Sequence, residues 1–386
     1  MQWQERYDAV RTWLLPWIAA SVPLRDATVL EYGCGTGAVA CALGPQARRH
    51  IGVDIDADAI ALAREHVREF GLENVELECH PLESILARVA DLEGEVDVVL
   101  LYAVLEHLTV DERLDLLRLA RRIVRPPGHI VICETPNRLQ LWDHHTTQMP
   151  FFYMLPEELQ LRYWDRSPRP DFTDAMRAAS AAGPGAAREA LVRWGRGVSF
   201  HEFELVFEDL PRHVIADGFD PRLFPERDLH SEEITLARFL AQQFPQLSAG
   251  WARYWLDLIL TPEPATARLP PLLRPWTMEP GIGSSGCSWT ASESIHMAGP
   301  DARLRVSLPA PARRLVCGFA LGGEHGTLFV TPLSSRGPAP TRVLSATSPP
   351  TWPNYHDLHC QPAASEFELT IEPAGYVTFV GWLADA

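Results

Sequence analysis

The sequence predicts an α/β fold: a doubly wound, mostly parallel sheet carrying a helical insertion, followed by an antiparallel β-sandwich. Three observations carry this reading. The run Val29-Leu-Glu-Tyr-Gly-Cys-Gly-Thr-Gly37 feeds an apolar strand into a turn with three alternate glycines, and Ile51-Gly-Val-Asp54 ends a second strand in an acid. From 27 to 134, apolar strand-length runs alternate with amphipathic segments of helical period. Beyond about 281 the chain turns to short apolar runs separated by Gly, Pro and Ser.

Residues 3–20 open with Trp3, Tyr7, Val10, Leu14, Trp17 and Ile18 at three- and four-residue spacing, which predicts an amphipathic helix. That helix, within 1–26, either packs on the domain or serves as a lid, since Trp and Tyr can wall a binding site. Strands are expected near 28–32, 49–53, 75–79, 96–102 and 129–133, and helices near 37–43, 56–70, 82–90 and 110–124. Gly71 is placed as a C-cap, and Thr109 with Glu112 as a capping box. Buried strands between such helices make a parallel sheet, whose ligands sit at the carboxyl ends of the strands. Glu31, Asp54, Tyr102 and Glu134 are expected there. An insertion over about 139–197 starts with an aromatic-rich loop, continues with a helix near 156–165, and then becomes a polar, Gly/Ala-rich interval. Val198–Phe207 alternates like a strand that extends the sheet, and helices are expected near 231–260 within an extension over about 225–260. The first domain thus spans 27–265, a Pro-rich linker spans 266–281, and the sandwich spans 282–386.

A glycine turn of this kind brings bare backbone against a nucleotide-like ligand and sets the following acid where a ribose diol lies. Gly33, Gly35 and Ala38 satisfy a dinucleotide fingerprint, with Asp54 about 20 residues on. Glu31 separates the two cofactors that compete for this pattern. A carboxylate at the strand tip suits an ammonium group, which S-adenosylmethionine has and NAD lacks, whereas a pyrophosphate favours donors there.

Glu31, Gly33, Gly35 and Gly37, then Asp54, then Val96–Tyr102 running into Ala103–Leu108, then Arg125–Gly128 leading to His129–Glu134 and Thr135–Asn137, resemble in order the motifs of the class I S-adenosylmethionine-dependent methyltransferases, with a core like the ubiquinone-pathway enzymes. The resemblance covers roughly the first 140 residues. It implies a Rossmann-like sheet, S-adenosyl-L-methionine as cofactor with S-adenosyl-L-homocysteine as product, and methyl transfer to an oxygen or nitrogen of a small-molecule acceptor. It also implies that Glu31 meets the methionine ammonium, that Gly33, Gly35 and Gly37 admit the cofactor, and that Asp54 holds the ribose. Cys34, Ile55 and Tyr102 border that site. After strand three many members carry an acid for the adenine amino group; here Cys79-His-Pro-Leu-Glu-Ser84 has Pro81 near that place, leaving backbone, His80 or Leu82 for adenine.

Methyl transfer from a sulfonium is an in-line displacement that needs a positioned acceptor, a dry site and, for a hydroxyl, a proton acceptor. His144 and His145 follow the fifth strand, His201 lies in the expected edge strand, and Tyr102 ends the fourth; these are the candidates. Some relatives, including small-RNA 2′-O-methyltransferases and ubiquinone-pathway O-methyltransferases, resemble the segment after strand four as Glu-x-x-Glu-His and ligate a divalent ion there. This chain has Ala103 in place of the first glutamate and keeps Glu106 and His107, with His144 or His145 left to complete a site as the later histidine does in those relatives; the lost glutamate weakens a hard-cation site and argues for no metal. His356-x-x-His359-Cys360 is a fainter metal hint in the sandwich.

Composition closes off other classes. All 34 basic residues are arginine, which excludes a Walker lysine, a Schiff-base enzyme and a lysine general base. A formal net charge of −16 argues against sequence-independent nucleic-acid binding. Seven scattered cysteines with no C-x-x-C pair read as reduced thiols, with Cys34, Cys41, Cys79 and Cys133 in or beside the core. No signal-like or membrane-length apolar run is present, so a soluble cytoplasmic enzyme of bacterial specialised metabolism is expected. The sandwich is a candidate surface for homo-oligomers. Two alternatives stand beside the methyltransferase: a non-catalytic module that binds S-adenosylmethionine or S-adenosylhomocysteine, and a NAD-dependent oxidoreductase.

Overall fold

The computed structural model describes residues 3–220, 223, 230–244, 246–265, 285–289, 295–299, 301–321, 326–334, 337–338, 342–346, 354–372 and 375–383. The expected linker 266–281 lies outside the described residues. The chain divides into two compact units, Met1–Leu269 and Pro270–Ala386.

The first unit is built on seven strands: β1 (Thr28–Tyr32), β2 (Arg49–Asp54), β3 (Val75–Cys79), β4 (Val96–Tyr102), β5 (Val124–Pro136), β6 (Val214–Asp217) and β7 (Trp255–Leu260). Their order in the sheet is β3-β2-β1-β4-β5-β7-β6. The first five run parallel, and β7 enters antiparallel between β5 and β6. Every residue of β1 is buried, as its unbroken apolar run requires of a strand covered on both faces. The chain winds outward from β1 through β2 to β3 and returns with β4 beside β1. The crevice between the carboxyl ends of β1 and β4 is therefore the topological switch point where such sheets bind ligands.

Local signals set the helices. Asp56 caps Ala57–Glu69 by accepting the amide hydrogens of Asp58 and Ala59, and Gly71, at φ +65°, follows its end. Thr109 and Glu112 form the expected capping box of Val110–Ile123. The N-terminal helix runs from Trp3 to Ser21 with a π turn over Val10–Leu14. It buries Val10, Leu14, Trp17 and Ile18 against Val29, Val98, Leu100 and Tyr102. In the insertion the segment read as a polar interval forms two helices, Pro170–Ala182 and Pro184–Trp194, which bury Phe172, Met176 and Leu191 with Met149 and Phe152.

Three expectations are corrected. Val198–Phe207 does not extend the sheet; it holds a short helix, Phe200–Glu204, started by a Ser199–Glu202 capping box. The edge is instead made by β6, which sequence reading passed over. The stretch 231–260 holds one α-helix, Ser231–Gln243, a 3-10 turn, Ala249–Ala252, and then β7, whose apolar Trp-Leu-Asp-Leu-Ile-Leu run is an interior strand. Cys34, Cys41 and Cys133 are buried as expected, whereas Cys79 is exposed because β3 is the sheet edge.

The second unit is an eight-stranded antiparallel sheet. Its strands are β8 (Cys287–Trp289), β9 (Ile295–Met297), β10 (Leu304–Leu321), β11 (Gly326–Ser334), β12 (Gly337–Pro338), β13 (Arg342–Ala346), β14 (Asn354–Glu372) and β15 (Gly375–Leu383). They follow the order β12-β11-β14-β10-β15-β9-β8, with β13 paired to β11. Among the described residues, these strands form one hydrogen-bonded array where a pair of facing sheets was expected. The side chains of His356, His359 and Cys360 lie outside the described residues. Among the described residues, no helix is long and apolar enough to cross a membrane.

Candidate active site

Two turns frame the crevice between β1 and β4. The first is the glycine turn, in which Gly33, Gly35 and Gly37 have φ of +79°, +49° and +78°. A Cβ on Gly33 would meet Val104 Cγ2 at 2.5 Å and one on Gly37 would meet Ala63 Cβ at 2.9 Å, so these two are glycine for packing. A Cβ on Gly35 would meet nothing within 4 Å; this is the bare backbone that faces open space. Asp54, at the end of β2, accepts the amide hydrogens of Gly35 at 2.7 Å and Asp56 at 2.9 Å, which ties the turn to the next strand. Ile55 beside it is exposed, and Cys34 is buried under the turn.

The other cofactor candidates are placed as follows. Glu31 is buried inside the sheet, with its carboxylate 2.9 Å from the equally buried His50 Nε2. His80 pairs with Glu78, whose carboxylate also takes Arg88 and is held at about 2, chiefly by that arginine. Leu82 is half-buried at the start of its helix. Tyr102 is buried under the N-terminal helix, where the Arg6 guanidinium lies 5.2 Å from its ring centre. That helix reaches the glycine turn directly, since Trp3 Nε1 donates to the Thr36 carbonyl at 3.0 Å.

The second turn follows β4. Val104 packs on Gly33, and Leu105–His107 form a 3-10 turn, so His107 lies about one turn of chain from the glycine motif. Glu106 is fully buried, and among the described residues neither of its carboxyl oxygens has a hydrogen-bond partner. Burial pushes it up to about 8. Its Oε1 stands 3.7 Å from His107 Nε2 and 4.0 Å from His145 Nε2.

Hydrogen bonds fix both imidazole tautomers. His107 Nδ1 donates to the Arg193 carbonyl at 2.8 Å. Thr146 Oγ1 donates to the Gly195 carbonyl and so accepts from His145 Nδ1 at 3.0 Å. Both Nε2 lone pairs are left open towards Glu106. Burial pushes both histidines down, His145 to about 4, so both are neutral at pH 7. Gly195, at φ +112°, permits this approach, because a Cβ there would lie 2.5 Å from His145 Cε1.

The adjacent histidines therefore divide. Asp143 accepts the amide hydrogens of Thr146 and Thr147 and the Thr147 hydroxyl, a compact turn that sends His145 inward. His144 is exposed and packs on Tyr254 and His230. His201 is exposed on its helix with its ring on Phe200, apart from the cluster.

Glu106, His107 and His145 bring one ligand atom each within 4.8 Å of one another. Two neutral imidazoles and a carboxyl with no other partner are a donor set that fits a divalent cation. The sequence reading weighed this site on Glu106 and His107, with Ala103 against it and His144 or His145 to complete it; the structure brings in His145, from a loop nearly 40 residues further along.

The cluster opens into a cavity of about 490 Å³ lined by His107, His145, Arg169, Ala190, Arg193 and Trp194. Sequence reasoning passed over the arginines here. Buried Arg113 donates to the carbonyls of Leu105, Glu106, Arg196 and Gly197 and to the Glu202 carboxylate, locking the 105–107 turn to the segment behind His145. Its signal was present: Arg113 stands three, four and seven residues before buried Leu116, Leu117 and Ala120, on the apolar face of its helix.

Residues 29–128 match the family model described as Methyltransferase domain. A ubiquinone biosynthesis O-methyltransferase of Acinetobacter baumannii (strain ACICU) is 28% identical over 110 residues, 28% of this chain and 44% of the relative. One of Thiobacillus denitrificans is 32% identical over 124 residues, covering 32% of this chain and 50% of the relative. The chain thus spans about half the length of the curated relatives it matches. The magnesium protoporphyrin IX methyltransferase of Synechocystis PCC 6803, solved with bound S-adenosylmethionine, is 20% identical over 35% of this chain and 60% of its own, with a TM-score of 0.28. Residues 29–128 are thus similar to a methyltransferase domain, in keeping with the S-adenosylmethionine-dependent methyltransferases that the motifs resemble.

Proposed function

We propose that the chain is an O-methyltransferase that moves the methyl group of S-adenosylmethionine to a hydroxyl of a small molecule. The observation that carries this is the meeting, beside the glycine turn, of Glu106, His107 and His145, the two histidines lining a cavity sized for a small ligand. The names of the relatives support oxygen as the accepting atom. Gly35 offers bare backbone to the cofactor, and Asp54 stands where a ribose diol needs a carboxylate. Tyr102 and the N-terminal helix keep water from the reacting centre. The acceptor hydroxyl lies at the His107–His145 edge, and His145 Nε2, unprotonated at neutral pH, takes its proton as the oxygen attacks the methyl carbon and the carbon–sulfur bond breaks.

A second reading is favoured by the two partnerless oxygens of Glu106. Glu106, His107 and His145 would hold a divalent cation, which supplies a Lewis acid that makes the acceptor hydroxyl easier to deprotonate. Under either reading these three side chains present the oxygen. For the second unit, register breaks within β10 at Ser307/Ala312 and Ala312/Arg314 support a sheet folded over into a sandwich.

The deciding experiment is calorimetric titration of chelated protein with S-adenosylhomocysteine. One site per chain at micromolar affinity, sharply weakened in Asp54→Ala, supports the cofactor assignment; no binding to folded protein overturns it. Repeating the titration with magnesium alone separates the two readings, since binding that disappears in Glu106→Gln establishes the cation site.

A further inference from the structure

Two arginines line the cavity beside the cluster, and they differ in how far their donors are taken up. Arg193 is held by two carboxylates: it donates to both oxygens of Glu112, to Glu189 and to the His107 carbonyl. Glu112 is held at about 2, chiefly by this arginine, so the pair is charged at any working pH.

Arg169 is different. Its Nη1 donates to the carbonyls of His145 and Thr146, its Nε donates to the exposed Asp171, and its Nη2 has no partner among the described residues. The guanidinium lies 5.1 Å from the Trp194 ring centre, which fixes its plane. An exposed ion pair such as Arg169–Asp171 is worth little and yields to a better-placed anion. Because Arg169 hydrogen-bonds the backbone of His145 itself, one small molecule can touch both the guanidinium and the imidazole edge. Ala190 and Trp194 supply the apolar wall between.

Resting on the methyltransferase reading above, we infer that the acceptor is a hydroxy acid built on a small planar ring, whose hydroxyl sits at His107 and His145 and whose carboxylate is taken by Arg169. Arg169 is thus a specificity-determining residue: it selects the anion and leaves the transfer to the cluster. A charge-assisted hydrogen bond of this type contributes about 1.5–3 kcal/mol, or about 10- to 100-fold in affinity over a neutral counterpart.

The probes are salicylate and salicylamide, which share ring and hydroxyl and differ in charge. Each is titrated calorimetrically into full-length protein saturated with S-adenosylhomocysteine at constant magnesium. Salicylate binds about tenfold or more tightly than salicylamide, the ratio falls to about one in Arg169→Gln, and it rises in Asp171→Asn, where the competing exposed carboxylate is gone. A purely structural role for Arg169 would weaken both probes in parallel and leave the ratio intact. Failure of salicylate to bind, equal binding of the two probes in the wild type, or a preference that survives Arg169→Gln overturns the inference. If S-adenosylhomocysteine itself does not bind, the underlying methyltransferase reading falls first, and that step is read before either probe is added.

Discussion

Replacing Arg113 by leucine removes the one side chain that holds the β4 turn, the segment 196–197 and the Glu202 carboxylate together. Leucine fills much of the same space, so the loss is chiefly electrostatic. Glu202 is left buried with the Ser199 amide as its remaining charge-stabilising contact, at 3.2 Å. Four carbonyl groups lose a donor at the same time. Breaking a buried pair from one side costs about 3–5 kcal/mol, and for a unit of this size each kcal/mol moves the midpoint by about 2–4 °C. A fall of about 6–20 °C in the transition of the first unit is expected, read by calorimetry and by guanidinium denaturation. The double change Arg113→Leu with Glu202→Leu should cost less than Arg113→Leu alone, since it removes the orphaned charge. A loss below about 1 kcal/mol in the single variant, or strict additivity in the double one, would refute the account of Arg113 as the organiser of this turn.

Turnover should fall about 10²- to 10⁴-fold in His145→Ala with S-adenosylhomocysteine affinity retained, while the exposed His144→Ala stays near wild type; equal effects would sink the division of the pair. Glu106 titrates near 8 in the folded, metal-free protein against an ordinary 4.5, because burial disfavours its charged form. A raised carboxyl stabilises the fold fully below its unfolded value and loses that contribution as pH climbs through its folded value. Chelated wild type should therefore lose a few kcal/mol of stability between about pH 5 and pH 8 that Glu106→Gln does not lose. Denaturant midpoints of the two proteins at both pH values check this, and parallel slopes would show that Glu106 is charged and matched in the fold.

The parallel core was legible because each of its strands is an apolar run of strand length closed by a turn signal, as in Thr28–Tyr32 before the glycines. The errors arose where the two periods compete. In Val198–Phe207 the alternating letters suggested a strand, yet the buried Ser199, Glu202, Phe203, Val206 and Phe207 follow helical spacing, and Ser199–Glu202 is a capping box in plain view. In β7 the opposite happened: a strand buried on both faces has no alternation, so its run was absorbed into the preceding helix. Of the site, the glycine turn and Asp54 were readable because their geometry is local. The grouping of Glu106 and His107 with a later histidine was suggested by the resemblance alone, because no spacing rule joins residue 107 to 145 or tells which of two adjacent histidines turns inward.

Glu106 is the feature that folding alone explains least. A buried carboxyl with two unpartnered oxygens costs stability, and a glutamine or methionine of similar volume would relieve it. The neighbouring sequence does the reverse of relieving it. Arg113, the nearest buried cation, directs its donors to Leu105, Glu106, Arg196 and Gly197 backbone carbonyls and to Glu202, and none to the Glu106 side chain. The histidines are likewise oriented by bonds at Nδ1, so their open Nε2 atoms face the same carboxyl without reaching it. The two imidazoles are held 3.7 and 4.0 Å from the Glu106 carboxyl by partners behind them, and the three ligand atoms lie within 4.8 Å of one another, too far to satisfy one another and close enough to share a ligand. Such an arrangement is stable only because the surrounding fold imposes it, and strain of this kind gathers where a protein meets what it acts on. The destabilising contribution of Glu106 and the organising contribution of Arg113 are thus two sides of one device, which keeps an open donor set beside the glycine turn.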